Sequence, residues 1–169
     1  MKNIVLIGMP GVGKSTVGVI LAKVLNMNFF DSDLVIQQKS SKRLSQLISS
    51  MGNDGFKSYE EKVNCGINAK NSVIATGGSA VYSEKAMTHF KKKGLIIYLQ
   101  TSFENLDKRL GNLDARGVVH NQGATIKDIF EERKVLYEKY ADIIINEDGL
   151  NVADTVDAIV LEIEKRGIA

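Results

Sequence analysis

The chain has 169 residues, enough for one domain with a buried core, and its apolar (44%) and charged (25%) fractions are ordinary for a globular protein. A net charge of +2 implies no strong attraction to nucleic acid or membrane surfaces, and no apolar run approaches the roughly 20 residues of a membrane span. The single cysteine, Cys65, excludes an intrachain disulfide framework and fits a reducing cytoplasm. We therefore expect one cytoplasmic, monomeric domain over residues 1–169, without a signal peptide and without nucleic acid or membrane partners.

The first predicted element is a strand over residues 2–7, apolar on both faces as in a buried parallel strand. It leads into GMPGVGKST, residues 8–16, after which apolar residues recur at helical spacing to about residue 25. Strand, glycine-rich loop and helix are the context in which G-x-x-x-x-G-K-[ST] forms a P-loop. Its glycines let backbone N–H groups point at phosphate, and the helix N-terminus adds partial positive charge.

The P-loop predicts an ATP site. Lys14 is expected to reach the β- and γ-phosphates, and Ser15 to offer its hydroxyl to Mg²⁺. The dinucleotide fingerprint G-x-G-x-x-G does not fit, because Thr16 stands where its last glycine belongs. The predicted nucleotide-binding residues of this loop are Gly11, Val12, Gly13, Lys14, Ser15 and Thr16.

A short second strand is predicted at residues 28–30, and the sequence Asp31-Ser32-Asp33 follows at its C-terminal end. Ligands of open α/β sheets bind outside the carboxyl ends of the strands, so these residues should face the same crevice as the P-loop. The alternative is a helix N-cap, a role that Asp and Ser commonly play. One residue can cap while another binds, and we expect a functional role for at least one aspartate.

The next stretch is predicted as helix over residues 34–51, broken near residues 40–41, then a loop at 52–55 and a helix over 56–69. Lys57 and Glu60 are three positions apart and can share a helix face, although a solvated surface charge is the ordinary interpretation of Lys57. A third strand at 73–75 ends at TGGS, residues 76–79. Paired glycines after a buried strand favour close backbone approach to a ligand, with a tight turn as the alternative.

The second half continues the alternation of helices and strands. Residues 111–123 contain three glycines, little periodicity and one arginine, Arg116, which favours a lid. The alternation predicts an α/β fold of three layers, αβα, with a five-stranded parallel sheet covered on both faces. The predicted elements are helix 83–92 with Gly94 as its stop, strand 95–99, helix 103–110, helix 125–140, strand 142–145 and helix 152–165.

In the order of its motifs the chain resembles the shikimate kinase family, within the nucleoside-monophosphate-kinase-like P-loop proteins, and the resemblance covers nearly the whole chain. F-x-D-x-D is present as residues 29–33, and the lid motif R-P-L-L as RGVV, residues 116–119. Three further motifs are G-F-R-x-x-E as residues 55–60 with Lys57 for the arginine, G-G-G as residues 77–79 with Ser79 for the third glycine, and E-R-x-P-L-Y as residues 132–137 with Val135 for the proline.

The resemblance implies an Mg²⁺-dependent kinase that transfers phosphate from ATP to shikimate, in aromatic amino acid biosynthesis. Asp33 would orient the acceptor hydroxyl or accept its proton, and Asp31 would hold Mg²⁺ through water. Arg116 would close over the phosphates, and Arg109 would lie against the adenine. The implied catalytic residues are Lys14, Asp33 and Arg116. The implied acceptor-binding residues are Asp33 and Lys57, from a helical region at about 32–70, together with Gly77, Gly78 and Arg133.

The departures from the family motifs leave the acceptor open. Lys57 keeps the positive charge of the family arginine but loses its bidentate fork, and Ser79 adds a Cβ and a hydroxyl near the acceptor. One alternative is a kinase of the same fold for another small hydroxylated acid or polyol, such as gluconate or homoserine. Another is a catalytically inactive binding or regulatory module, against which the retention of Lys14, Ser15, Asp33 and Arg116 argues.

Overall fold

Five strands form one parallel sheet in the order β2-β3-β1-β4-β5 in the computed structural model, which describes residues 2–109 and 123–167. Every neighbouring pair in this sheet runs parallel, so the predicted five-stranded parallel sheet is confirmed. The strands are β1 (Asn3–Ile7), β2 (Asn28–Asp31), β3 (Ser72–Ala75), β4 (Gly94–Gln100) and β5 (Ile143–Asn146).

Seven α-helices and one short 3-10 helix (Ala80–Tyr82) occupy the described ranges, and the bounds of the α-helices agree with the prediction to within a few residues except around residues 52–55 and 66–69. Among them none is both long enough and apolar enough to cross a membrane. The helices are α1 (Lys14–Val24), α2 (Ser32–Ser40), α3 (Leu44–Cys65), α4 (Glu84–Lys93), α5 (Phe103–Arg109), α6 (Ile126–Tyr140) and α7 (Val152–Lys165).

The sheet is covered by helices on both faces because its strands are apolar on both faces. Along β1, Ile4 and Leu6 pack into a core with α1 and α7, whereas Val5 and Ile7 pack into a second core with α4, α5 and α6. This alternation follows from the two-residue period of a strand. Each fully buried Leu or Ile stabilises the fold by about 1.5–3 kcal/mol, so both layers contribute to stability. The predicted three-layer αβα architecture is confirmed.

The break predicted at residues 52–55 is confirmed in position, but it is a kink at one residue and not a four-residue loop. Two helical segments of α3 meet at Gly52, whose φ of 71° and ψ of 172° are not helical but are tolerated by glycine. Leu47 and Phe56, on either side of the distortion, pack with Ile36 into one small core between α2 and α3. Burial of this apolar face outweighs the local turn preference of the GNDG sequence.

The helix predicted over residues 56–69 ends earlier, at Cys65, where Gly66 follows as the C-cap. The predicted break near residues 40–41 is confirmed, because α2 ends at Ser40 and Ser41 adopts a left-handed conformation with φ 55°. Helices α2 and α3 together lie over the carboxyl end of β2, which places residues 32–65 beside the P-loop.

Gly94, predicted as a helix stop, also allows two strands to approach each other. It caps α4, begins β4 and pairs with Asn3 of β1. A Cβ at Gly94 would lie only 2.5 Å from the carbonyl oxygen of Asn3, a backbone atom that the sheet holds in place.

We expect Gly94→Ala to lower the free energy of unfolding by about 1–3 kcal/mol, the range for overpacking a tight site. Urea denaturation followed by circular dichroism measures this. Gly66→Ala is the matched control, because a Cβ there meets its nearest atom, the carbonyl oxygen of Val63, at 3.3 Å and the position is exposed. Equal losses in the two variants would contradict the proposed close approach of β1 and β4.

Candidate active site

The P-loop, α2, α3, the segment after β3 and α6 enclose a cavity of about 460 Å³ at the carboxyl ends of the central strands. Strand order explains this meeting point, because β1 lies between β3 and β4, and β2 pairs with β3. The cavity is therefore lined by residues far apart in sequence. Those that carry charge or approach closely are Lys14, Ser15, Asp33, Glu60, Gly77, Gly78, Ser79 and Arg133.

Lys14 is the buried cation of the P-loop, with 8% of its surface exposed. Its Nζ donates hydrogen bonds to the carbonyl oxygens of Gly8 (2.8 Å) and Met9 (2.9 Å), which hold the ammonium at the cavity wall. Burial lowers the pKa of Lys14 to about 8, against the opposing charge of Asp33. Gly11 and Gly13 have positive φ values of 79° and 112°, the loop conformation that the glycine motif predicts.

Asp31 caps α2 and also contacts the P-loop helix. One of its carboxylate oxygens, Oδ1, accepts hydrogen bonds from the backbone N–H groups of Asp33 (3.0 Å) and Leu34 (3.2 Å). The other, Oδ2, accepts from the hydroxyl of Ser15 at 2.6 Å. A hydroxyl and a carboxylate in contact are hard oxygen donors of the kind that Mg²⁺ prefers, so this pair fits the predicted metal position.

Asp33, the other aspartate of the motif, points into the cavity. Burial, together with the neighbouring charge of Asp31, raises the pKa of Asp33 to about 6, while Lys14 opposes the shift. Its Oδ1 lies 2.6 Å from the point that a Cβ on Gly77 would occupy. The Asp31-Ser32-Asp33 sequence thus combines a helix cap with a cavity-facing carboxylate.

Side chains that line the cavity approach closely to Gly77 and Gly78, the two glycines after β3. At Gly77, Oε1 of Glu60 also lies 2.6 Å from the would-be Cβ, and the N–H of Gly77 donates to the hydroxyl of Ser32 at 3.0 Å. At Gly78, a Cβ would meet Cδ of Pro10 at 2.7 Å and Nη1 of Arg133 at 2.9 Å. Both positions therefore require glycine, because any side chain would displace groups that line the cavity.

Arg133 is fully buried and its guanidinium reaches the cavity from α6. Its Nε donates to the hydroxyl of Tyr82 at 3.2 Å, and the guanidinium lies 5.2 Å from the centre of that ring. The hydroxyl of Tyr137, one turn further along α6, donates to the carbonyl oxygen of Gly78 at 2.7 Å. These contacts fix the orientation of the arginine.

Lys57, which the sequence predicted as an acceptor ligand, contacts the same tyrosine as Arg133. Its Nζ lies 4.5 Å above the ring of Tyr82, a cation–π contact, and Lys57 is not among the residues that line the cavity. The two predicted cations therefore have different environments. Arg133 lines the cavity, whereas Lys57 lies against the ring of the half-buried Tyr82.

Arg109, at the end of α5, lies beside the P-loop, where its Nη1 donates to the carbonyl oxygen of Val12 at 3.2 Å. Glu147, after β5, is a buried carboxylate near this arginine; burial raises the pKa of Glu147 to about 7, and Arg109 and Lys14 oppose the shift. Arg116 and the predicted lid, except residue 123, lie outside the described residues.

Sequence reasoning assigned no role to Glu60, whose side chain is 2% exposed and lines the cavity. Burial raises the pKa of Glu60 to about 7, and a hydrogen bond from Ser79 opposes the shift. A signal was present, because Glu60 follows Phe56 by four positions and precedes Val63 by three, on the buried face of α3. A carboxylate at such a position is rarely left buried without a function.

A sequence model of the shikimate kinase family matches residues 10–164 of the chain. A shikimate kinase from Thermodesulfovibrio yellowstonii is 38% identical over 168 residues, which cover 98% of this chain and 96% of that protein. The crystal structure of shikimate kinase from Aquifex aeolicus superposes with a TM-score of 0.84 at 30% identity, over 98% of both chains.

A shikimate kinase from Acinetobacter baumannii, solved in complex with shikimate, also superposes with a TM-score of 0.84. It is 27% identical, and the match covers 100% of this chain and 96% of that one. These likenesses confirm the predicted P-loop kinase fold and run through the segments that build the cavity. By the family match over most of its length and its sequence identity to these relatives, the chain belongs to the shikimate kinase family.

Proposed function

We propose that this protein transfers the γ-phosphoryl group of ATP to a hydroxyl of shikimate, giving shikimate 3-phosphate and ADP. The observation that carries the proposal is the convergence of Lys14, Asp33 and Arg133 on one cavity. Lys14 offers a cation to a phosphate group of ATP, Asp33 offers a carboxylate to the acceptor hydroxyl, and Arg133 offers a guanidinium to the acceptor carboxylate. Phosphoryl transfer requires mainly positioning and charge neutralisation, which this set supplies.

The nucleotide would bind along the P-loop, residues Gly11 to Thr16, with its terminal phosphates at Lys14. The N–H groups of the loop and of the first turn of α1 would donate to phosphate oxygens, as helix N-termini do. Ser15 and Asp31 would hold Mg²⁺, Asp31 through water, and the ion neutralises phosphate charge when bound. Arg109 would lie against the adenine and Arg116 would contact the phosphates from a lid at about residues 111–123.

The acceptor would bind between α3, the segment after β3 and α6. Arg133 would hold its carboxylate through the planar fork that matches this group, and Gly77 and Gly78 would approach it through the backbone. Asp33 would then accept a hydrogen bond from the reacting hydroxyl and take its proton. Lys57 would add positive charge from its position against Tyr82, and the helical region at about 32–70 would form one wall of the acceptor site.

We further propose that the protein acts as a monomer in the cytoplasm, without nucleic acid or membrane partners. The support is that the cavity is built from one chain, that the net charge is only +2 and that Cys65 is a free thiol. Light scattering of the purified protein with and without ATP tests the oligomeric state.

Lys14→Ala should reduce kcat at least about a hundredfold, the scale of losing one electrostatic stabiliser of the transition state. The measurement is ADP release with saturating ATP and shikimate. Lys23→Ala, at the exposed end of the same helix, is the control and should keep wild-type kcat. A kcat within threefold of wild type in Lys14→Ala would contradict the role of the P-loop.

The rate should depend on the ionisation of Asp33. Because the pKa of Asp33 is raised to about 6, the carboxylate that accepts the proton forms as the pH rises through that value. We expect kcat/KM to increase with pH across this region and Asp33→Asn to lose about 10²- to 10⁴-fold, the range for a general base. Asp54→Asn, on the exposed side of α3, should behave as wild type. A flat profile from pH 5 to 7 would disprove the assignment.

Removal of Arg133 should weaken acceptor use by about 1.5–3 kcal/mol, the range for a hydrogen bond to a charged group, or roughly 10- to 150-fold in kcat/KM for shikimate. Arg133→Met keeps much of the volume and removes the charge. Lys57→Arg should keep or improve shikimate use, since it restores the family residue.

A panel of small hydroxy acids and polyols, including gluconate and homoserine, tests the acceptor in the same ADP-release assay. Wild type should prefer shikimate. If it ignores shikimate and Lys57→Arg with Ser79→Gly gains that activity, the natural acceptor is a different one, while the kinase chemistry stands.

A further inference from the structure

Ser79 and Glu60 form a buried pair at the acceptor side of the cavity. The hydroxyl of Ser79 donates to Oε2 of Glu60 at 2.7 Å, and the two side chains are 7% and 2% exposed. The other oxygen, Oε1 of Glu60, has no hydrogen-bond partner among the described residues. A buried carboxylate oxygen without a donor is costly, so a donor supplied by a ligand is the simplest way to satisfy it.

The unpartnered oxygen faces the same space as the proposed base. Oε1 of Glu60 and Oδ1 of Asp33 each lie 2.6 Å from the would-be Cβ of Gly77, so they are separated by no more than twice that distance. Both residues and Ser79 line the cavity. A polyhydroxylated acceptor whose reacting hydroxyl lies at Asp33 would place a neighbouring hydroxyl within reach of Glu60.

We propose that Ser79 is a positioning residue for the acceptor: by holding Oε2 of Glu60, it keeps Oε1 turned toward the cavity, where Oε1 accepts a hydrogen bond from a non-reacting hydroxyl of the acceptor. This inference rests on the proposed kinase function. The glycine that the family motif has at position 79 could not do this, because it carries no hydroxyl. Lys57, one turn earlier on α3, lies over Tyr82.

The hydrogen bond also affects the charge of Glu60. Burial is the main effect and raises the pKa of Glu60 to about 7. The hydrogen bond from Ser79 is the largest opposing effect. Among the nearby charges, Asp33 of α2 raises this pKa, whereas Arg133 of α6 and Lys57 of α3 lower it. Glu60 therefore titrates near neutral pH, and loss of the Ser79 donor shifts it toward the protonated form. A protonated Glu60 offers a weaker acceptor oxygen, so acceptor affinity should fall.

The test is Ser79→Ala, which removes the hydroxyl and keeps the Cβ. We expect KM for shikimate at pH 7 to rise about 3- to 10-fold, the effect of losing one ordinary hydrogen bond, with kcat within twofold because the contact is equal in ground and transition states. As the pH rises and Glu60 ionises in both proteins, the part of the difference that comes from its protonation should shrink. Ser83→Ala is the matched control, since Ser83 makes the same hydrogen bond, 2.6 Å, to the carboxylate of Glu61 outside the cavity.

A double-mutant cycle with Glu60→Gln shows whether Ser79 acts through Glu60. If it does, adding Ser79→Ala to Glu60→Gln should change KM less than twofold. The inference is overturned if Ser79→Ala leaves KM unchanged, if it lowers kcat alone, or if its effect is undiminished in the Glu60→Gln background.

A titration without any acceptor separates this inference from the proposed function. The ¹³C resonance of the Glu60 carboxyl in the free protein reports its pKa, and we expect Ser79→Ala to raise that pKa and Ser83→Ala to leave it unchanged. An unchanged Glu60 titration in Ser79→Ala overturns the inference even if shikimate is phosphorylated. Absence of shikimate phosphorylation by wild type contradicts the proposed function instead, and the KM measurements then use the preferred acceptor of the panel.

Discussion

The structure depends on holding four charged side chains around one cavity. Lys14, Arg133 and Glu60 have less than a tenth of their surface exposed, and the partly buried Asp33 lines the same cavity. An isolated buried charge costs several kcal/mol, and these groups are tolerated because cations and carboxylates alternate at short range. The raised pKa values of Asp33 and Glu60 and the lowered pKa of Lys14 show that the compensation is incomplete. A phosphate and an acidic acceptor would relieve the part of this cost that falls on the cations Lys14 and Arg133.

Strand order decides which charges can meet. Because β1 is central, its P-loop lies beside the segment after β3, and because β2 pairs with β3, Asp31 and Asp33 reach the same edge. Arg133 comes from the opposite side, on α6, and is held by Tyr82. No short stretch of sequence contains the site. It exists only once the parallel crossovers have formed, which links the integrity of the sheet directly to the chemistry.

Local signals were sufficient for the strands, the P-loop and the helix cap at Asp31, since each follows from residue order and backbone preference alone. They located the break at residue 52 but overstated its length, because the buried contacts of Leu47 and Phe56 keep the chain helical on both sides, and they failed at Glu60, whose partner Ser79 is 19 positions away. They also did not show that Lys57 lies against the ring of Tyr82 and outside the cavity lining. In each case the deciding contact is tertiary, so propensity and periodicity had no access to it.

The departures at Lys57 and Ser79, the two that concern the acceptor site, therefore act on different parts of it. At position 57, lysine replaces the arginine of the family motif, and its ammonium lies against the face of Tyr82 and not in the cavity lining. Lys57 therefore influences the site only at a distance. At position 79 the added hydroxyl is inside the cavity and takes one oxygen of Glu60. In the proposed complex, carboxylate recognition would fall mainly to the fork of Arg133, and hydroxyl recognition to the carboxylates of Asp33 and Glu60. An acceptor that satisfies both would present a carboxylate and adjacent hydroxyls, as shikimate does.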